Sequence, residues 1–489
     1  MPGLGDDRLR RLTGADYAAW RRQVARVGAC SNPVRIRGGA HAVDLATGVV
    51  LGSFTSADQP DGTVLLPCGD RRASVCPSCA ATYARDTWFL VAAGLRGGEL
   101  ATERPTARGV ASAGHLPDLA GHPMVFATFT APSFGPVHRW REGKPCRPRR
   151  RGGTCEHRNP LGCPVRHGEK DPEVGAPLCG DCYAYDAAVL WNASVPALWK
   201  ATVFVAYSAL ARLGSALAGE RLTVRSVRKR LRISYAKVAE WQLRGAVHLH
   251  VVARLDGVDP DGPGGVVPPP EWATAELLGD VMAEAAEQAA VRLPPVDAAW
   301  PLATWGAQFD VQTVAGRDHV ASVGSYLAKY ATKAAGDTLP GLPLRRMGVL
   351  DVAVLRSGRG RVSDHGRRLA LTAVDLAEHP DCDDLRLVEN AHQAGYRGHF
   401  MTRSRRYSST RKALKEQRRR WSVAETRRAG GDGDPWVMAA EREDVAVVGN
   451  WSYVGTGYAS LADGEIAAGL AEQWKQAARE QRETGGLSA

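Results

Sequence analysis

Two residue pairs have types and spacing that could do chemistry: His248 and His250 in "GAVHLHVVARLDG" (245–257), and Tyr326 and Tyr330 in "SYLAKYATK" (325–333). Alternate side chains of a strand share a face. His248, His250, Val252 and Arg254 then point one way, while Val247, Leu249, Val251, Ala253 and Leu255 make a core side. Two imidazoles so spaced can turn their nitrogens on one divalent ion. His-x-His alone is more often a solvated strand face, so the neighbours decide. "EWQLRGAVH" sets a three-residue turn, Leu243-Arg244-Gly245, with glycine where a left-handed backbone is needed. That register places Gln242 opposite Ala246 and Glu240 opposite His248, with opposed Cβ atoms about 5 Å apart. A one-residue slip would destroy the arrangement. Glu240 is the expected third ligand and Gln242 the runner-up.

Tyr326 and Tyr330 lie at i and i+4, on one helix face with Lys329 beside them. Such a pair is more often packing than catalysis. A phenol with a pKa of about 10 is a poor nucleophile at neutral pH. It becomes useful where a metal polarises a phosphate and a cation steadies the charge. The helix would have to pack across the hairpin to bring these groups together.

The elements around them read as follows. "HPMVFATFTAPSFG" (122–135) begins as a strand at 124–130, and 231–255 reads as two strands. Residues 183–214 fit one or two helices, with Pro196 at a start or kink. A helix is expected at 272–293, a strand at 307–314 and a helix at 318–335. The fold class expected is α+β: an antiparallel sheet with helices on one face, ligands on its central hairpin and tyrosines on a following helix. Three regions are expected: a Cys-rich N-terminal region 1–119, a catalytic domain 120–340 with a Cys-rich insertion at 140–182, and a basic C-terminal region 341–489.

The chain has 489 residues, enough for two or three domains, and its 44% hydrophobic content is globular. Lys+Arg 63 against Asp+Glu 52 gives a net charge of +11 and a pI near 9.3, favouring an anionic partner such as nucleic acid. The N-terminus has no signal-peptide core, and no run is expected to reach the roughly 20 apolar residues of a membrane span. A cytoplasmic protein with no membrane partner is expected. Ten cysteines in that setting point to metal rather than disulfides. Cys76-Pro-Ser-Cys79 and Cys179-Gly-Asp-Cys182 are knuckles for tetrahedral zinc. Cys30 and Cys68 could complete the first; Cys146, Cys155, Cys163, His157 and His167 compete for the second, so at least one is expected to be a bystander. The zinc would be structural, presenting arginines such as Arg149, Arg150 and Arg151. "RSRRYSSTRKALKEQRRRW" (403–421) gathers Arg403, Arg405, Arg406, Arg411 and Lys412 around Tyr407 and Trp421, an expected phosphate-contacting stretch; "RSVRKRLR" (225–232) is a weaker one.

The order Phe126-Ala-Thr-Phe-Thr130, Glu240-x4-Gly245-x2-His248-Leu-His250 and Tyr326-x2-Lys329-Tyr330 resembles the three motifs of HUH endonucleases, the rolling-circle replication initiators. The paired-tyrosine form is similar to the gene A proteins of small single-stranded DNA phages. "GDRRASVCPSC", "TFTAPSFGPVH", "PLCGDCYAYD" and "YRGHFMTRSRRYSST" look closer still to initiators of actinobacterial plasmids and integrative elements. These motifs run from about residue 30 to 458.

The resemblance implies an HUH domain with a ferredoxin-like (RRM-like) sheet. Tyr326 would attack an origin phosphate and keep the 5′ end as a phosphotyrosine, leaving a 3′-OH primer, and Tyr330 would make the second cut. His248, His250 and Glu240 would hold Mn²⁺ or Mg²⁺, with Lys329 steadying charge. Transesterification needs no ATP, and there is no G-x4-G-K-[ST] phosphate loop for a fused helicase. The expected partners are single-stranded or hairpin origin DNA, a host helicase and a host polymerase. The rivals are a conjugative relaxase or an HUH transposase using the same site, and a non-catalytic zinc-dependent DNA-binding regulator.

Overall fold

The computed structural model describes residues 4–97, 119, 121–149, 151–259, 265–332, 339, 342, 346–360, 362–419, 439 and 444–485. In chain order these form helices α1 (Leu4–Thr13) and α2 (Tyr17–Arg26), strands β1 (Val34–Asp44), β2 (Val50–Thr55) and β3 (Val64–Leu66), and helix α3 (Pro77–Arg96). Next come β4 (Met124–Phe129), α4 (Tyr185–Ala218), α5 (Val224–Arg230), β5 (Leu231–Trp241), β6 (Val247–Val258) and β7 (Val266–Val267). They are followed by α6 (Ala275–Gln288), β8 (Ala290–Arg292), β9 (Leu302–Thr304), β10 (Phe309–Thr313) and α7 (Gly316–Tyr330). Later elements include a helix at Asp364–Leu376, β11 (Met401–Arg403), β12 (Val445–Thr456) and a helix at Leu461–Gly485.

Two compact units result. One takes Met1–Asp86, Ala101–Gly114 and Thr410–Ala489; the other takes Thr87–Leu100 and His115–Ser409. The regions expected from sequence, cut at 119 and 340, are divided differently. The last strand, β12, pairs antiparallel with β1 from Val34↔Thr456 to Asp44↔Val445, in a sheet ordered β12-β1-β2 with β3 also on β1. Trp20, Val24 and Ala29 pack with Ala467 and Leu470 of the terminal helix. Residues from both ends of the chain therefore build the first unit. The second unit extends past 340 to β11, which pairs with β5.

The sheet of the second unit is antiparallel, ordered β10-β4-β6-β5-β11. Its β6 centre explains the alternation read from the sequence. Val247, Leu249, Val251, Ala253 and Leu255 are all fully buried against a core built with α4 and α6. Thr274 caps α6 by accepting from Leu277 N at 3.2 Å, and the helix ends at Gln288 rather than 293 because the chain turns into β8. Helices on one face were expected, but α7 lies on the other, where Tyr326 meets Phe126 of β4 and His250 of β6. The polar face is thus covered where the tyrosines sit.

α4 is a single 34-residue helix running through Pro196. By length and composition it is apolar enough to cross a membrane, against the sequence expectation that no run would be. Its buried residues, Trp191, Leu198 and Leu210 among them, form the core of this unit. Along β6 beyond the histidines, Arg254 and Asp256 are fully buried and paired, with Ser234 and His122 also on the Asp256 carboxylate. A buried charge needs such full pairing to be tolerated, so Arg254 is structural.

Candidate active site

The hairpin has the expected register: Glu240 faces His248, and Gln242 N donates to Ala246 O at 2.9 Å. Gly245 takes the left-handed conformation, φ 74°. Its turn is held from below by buried Asn192 of α4. The Asn192 amide donates to Gly245 O (2.9 Å) and Ala394 O (2.9 Å), while its oxygen accepts from Val247 N (3.1 Å). His365 Nε2 and Tyr183 Oη both reach Arg244 O as well.

Side chains on the upper face pair more finely than strand register foresees. Glu240 Oε2 lies 2.8 Å from His250 Nε2, not on its cross-strand neighbour His248. His248 Nε2 meets the Gln242 amide, and Gln242 Oε1 accepts from Arg244 Nε at 2.8 Å. His248, His250 and Glu240 lie on one face but do not bring three donor atoms within 4.8 Å of one another. Gln242, the runner-up ligand, is thus in direct contact with the site. Thr128 of β4 was missed as a site residue: its hydroxyl lies 3.3 Å from His250 Nδ1 and helps set which ring nitrogen faces Glu240. Burial, and then His250, push the His248 pKa down to about 4, so its ring is neutral and can donate a lone pair.

α7 brings both tyrosines to these imidazoles. The ring centroids of Tyr326 and Tyr330 lie 5.0 and 5.1 Å from that of His250, and 4.5 Å from each other. Phe126 flanks His250 at 6.1 Å and Tyr326 at 5.6 Å. Lys329 Nζ is 5.6 Å from the Tyr330 ring. Burial, the Tyr330 hydroxyl and the Glu240 charge all push the Tyr326 pKa upward, although the residue is 38% exposed. Its phenolate would therefore need positive charge close by. The donor types suit a divalent cation: neutral imidazole and a carboxylate are at hand, and the Gln242 amide meets His248 through its nitrogen while its oxygen is taken by Arg244.

Nine of the ten cysteines, all but Cys382, fall into three four-residue sets, two of them shared with histidines. Cys30, Cys68, Cys76 and Cys79 meet as expected, with Sγ–Sγ distances of 3.7 Å for Cys30–Cys76, Cys30–Cys79 and Cys68–Cys79. Tetrahedral zinc at 2.3 Å from each sulfur would put them about 3.8 Å apart. The expected bystander does not exist: His138, Cys146, Cys163 and His167 form one set, and Cys155, His157, Cys179 and Cys182 another. His138 is the eighth member; the seven residues named from sequence are one short of two tetrahedral sites, a count that could have flagged it. His167 Nδ1 lies 2.8 Å from Asp171 Oδ2, leaving Nε2 toward the set, the usual orientation of a metal-bound histidine. Against burial, backbone N–H bonds and neighbouring groups bring Cys76 and Cys179 down to about 6. Cys79 is pushed up to about 11 and Cys182 to about 12, chiefly by burial. Thiols this close cannot all ionise unless a cation shares the charge.

The basic stretch at 403–421 is not one face. Arg403 Nη1 donates to Ser408 O, and Tyr407 is fully buried with its hydroxyl on Val91 O. Arg411 packs over Tyr83, and Arg418 pairs with Asp86. Arg405 and Lys412 are exposed, and Arg406 is half-buried. Arg149 and Arg151 are exposed, and in the weaker stretch Arg228 packs on Tyr207 while Arg230 pairs with Glu220. Arg150 and Trp421 lie outside the described residues.

No solved structure matches the chain. A replication initiator protein of Streptomyces ambofaciens is 40% identical over 498 residues, covering 99% of this chain and 97% of that one. Residues 16–472, which hold both the hairpin and the tyrosine helix, match the family described as "Replication initiator protein, pSAM2". The chain belongs to that family of replication initiators.

Proposed function

We propose that this replication initiator works as an HUH-type endonuclease and strand transferase, opening a plasmid-type origin by transesterification. The observation that carries the reading is the convergence of two tyrosines on His250, itself held by Glu240 and Thr128. A divalent ion, Mn²⁺ or Mg²⁺, held by His248 and His250 with Glu240 or Gln242, would polarise the scissile phosphate. The Tyr326 phenol loses its proton and its oxygen attacks phosphorus; the bond to the 3′ oxygen breaks, and that oxygen leaves as the 3′-OH primer. Lys329 offsets the charge on the attacking and leaving oxygens. Tyr330, at the same distance from His250, takes the second cleavage after one round. Since one phosphodiester replaces another, the work is positioning and charge compensation. Origin DNA is the substrate, with strand separation and synthesis left to a host helicase and polymerase. The exposed Arg405 and Lys412 are available to phosphates. Each of the three Cys/His sets holds a structural zinc ion.

The test is a denaturation-resistant adduct between the full chain and labelled single-stranded DNA from its own origin, formed with Mn²⁺. We expect the adduct with wild type and none with a Tyr326→Phe, Tyr330→Phe double variant. An adduct undiminished in the double variant would sink the assignment.

A further inference from the structure

A cleft of about 700 Å³ opens beside the hairpin tip, a usual size for a ligand site. One wall is the chain that follows β4, from Thr130 to Ser133; the other is the start of the irregular Cys/His segment, with Arg139, Trp140 and Arg147. Between them lie Gln242, Leu243 and Arg244 of the hairpin turn. Gln242 belongs to both places, because the same amide touches His248. The cleft therefore begins where the candidate catalytic face ends.

Its chemistry is apolar and positive together. The arginine hydrogen bonds go to the carbonyls of Cys146, Val137, Pro132 and Ala131 and to Gln242. Among the described residues, the three guanidinium groups have no carboxylate partner. Trp140 is 45% exposed and Leu243 44% exposed, large apolar surfaces at a charged mouth. Phosphate with an unpaired base matches this mixture: the base stacks on the indole and the backbone meets the arginines. In a duplex both faces of a base are covered by its stacked neighbours.

We propose that this cleft is a single-stranded DNA subsite, seating nucleotides that flank the scissile phosphate, with Trp140 as the stacking platform and Arg139 and Arg147 as phosphate contacts. The proposal rests on the nicking reading for its location but not for its test. It also gives the Cys/His segment a part in binding, because His138 and Cys146, members of one four-residue set, bracket the loop that carries Trp140.

The experiment measures binding of fluorescein-labelled dT20, alone and annealed to dA20, to the full chain by polarisation. Trp140→Ala should weaken dT20 binding at least five-fold, Trp140→Phe should stay within about two-fold of wild type, and duplex affinity should hold. Leu243→Glu, which sets a negative charge at the other side of the mouth, should weaken dT20 independently. With 5-iododeoxyuridine in the strand, photo-cross-linking should map to the peptide containing Trp140. Unchanged dT20 affinity in both variants overturns the proposal, as does an equal loss for duplex. Adduct formation is scored separately: a wild-type chain that forms none while Trp140→Ala still loses dT20 refutes the nuclease and keeps the cleft. Adducts with unaltered dT20 affinity do the reverse.

Discussion

Single side chains decide how the histidine face is prepared. Thr128 fixes His250 from the Nδ1 side while Glu240 takes Nε2, an arrangement that holds one tautomer. Thr128→Val should leave the fold intact and lower the rate of adduct formation about 10- to 100-fold, as loss of a ligand's outer partner commonly does; time courses at saturating Mn²⁺ read this. On the opposite face, Lys237 is buried beneath Trp199, with its ammonium 5.8 Å from that ring. Burial lowers its pKa to about 8, so the folded chain releases this proton more readily than the unfolded chain does. Stability should therefore rise with pH between about 8 and 10.5, and below that window the buried charge costs roughly 3 kcal/mol. Lys237→Met should raise the melting temperature of the second unit at pH 7 and flatten its pH dependence above 8. Sequence alternation assigned His248 and His250 to one face but could not choose between rotamers. Thus Glu240 went to its diagonal histidine and Gln242 to His248, and Thr128, on another strand, stayed invisible.

At the scale of elements, the hairpin was legible because the glycine turn and the period of two agree, and each constrains the other. The single α4 was not, because Pro196 argued for a break that the surrounding core overrides. Among the described residues, the segment between β4 and α4 holds isolated bridges, such as Arg147↔Cys163 and Thr154↔Pro160, and turn hydrogen bonds in place of strands or helices. Two Cys/His sets rather than a periodic apolar face draw it together, which is why hydrophobic patterning said so little about it. Elemental analysis of the purified chain should find three zinc ions. His138→Ala should remove one and leave the Cys30 set loaded, and a chelator should abolish dT20 binding before it melts the antiparallel sheet. Tyr407 shows the opposite failure of local reading: surrounded by arginines in sequence, it is wholly buried in the fold.

For the whole molecule, the deciding feature is the pairing of β1 with β12, which no local pattern announces. A Cβ at Gly38 would lie 1.9 Å from Asn450 O, at a backbone φ of 149° that side chains rarely adopt. Gly38→Val should therefore break this ladder and make the first unit sensitive to limited proteolysis, while the second keeps its melting transition; fragment mapping by mass spectrometry checks it. The same ladder has a consequence for how the protein is made. On the ribosome, the β12-facing edge of β1 has no partner until some 400 further residues have been translated, about 20–80 s at ordinary elongation rates. The second unit is complete by Ser409 and can fold within that interval. A nascent chain thus spends part of its life with a finished second unit and an open strand edge, and a message cut short before residue 445 leaves that edge open for good.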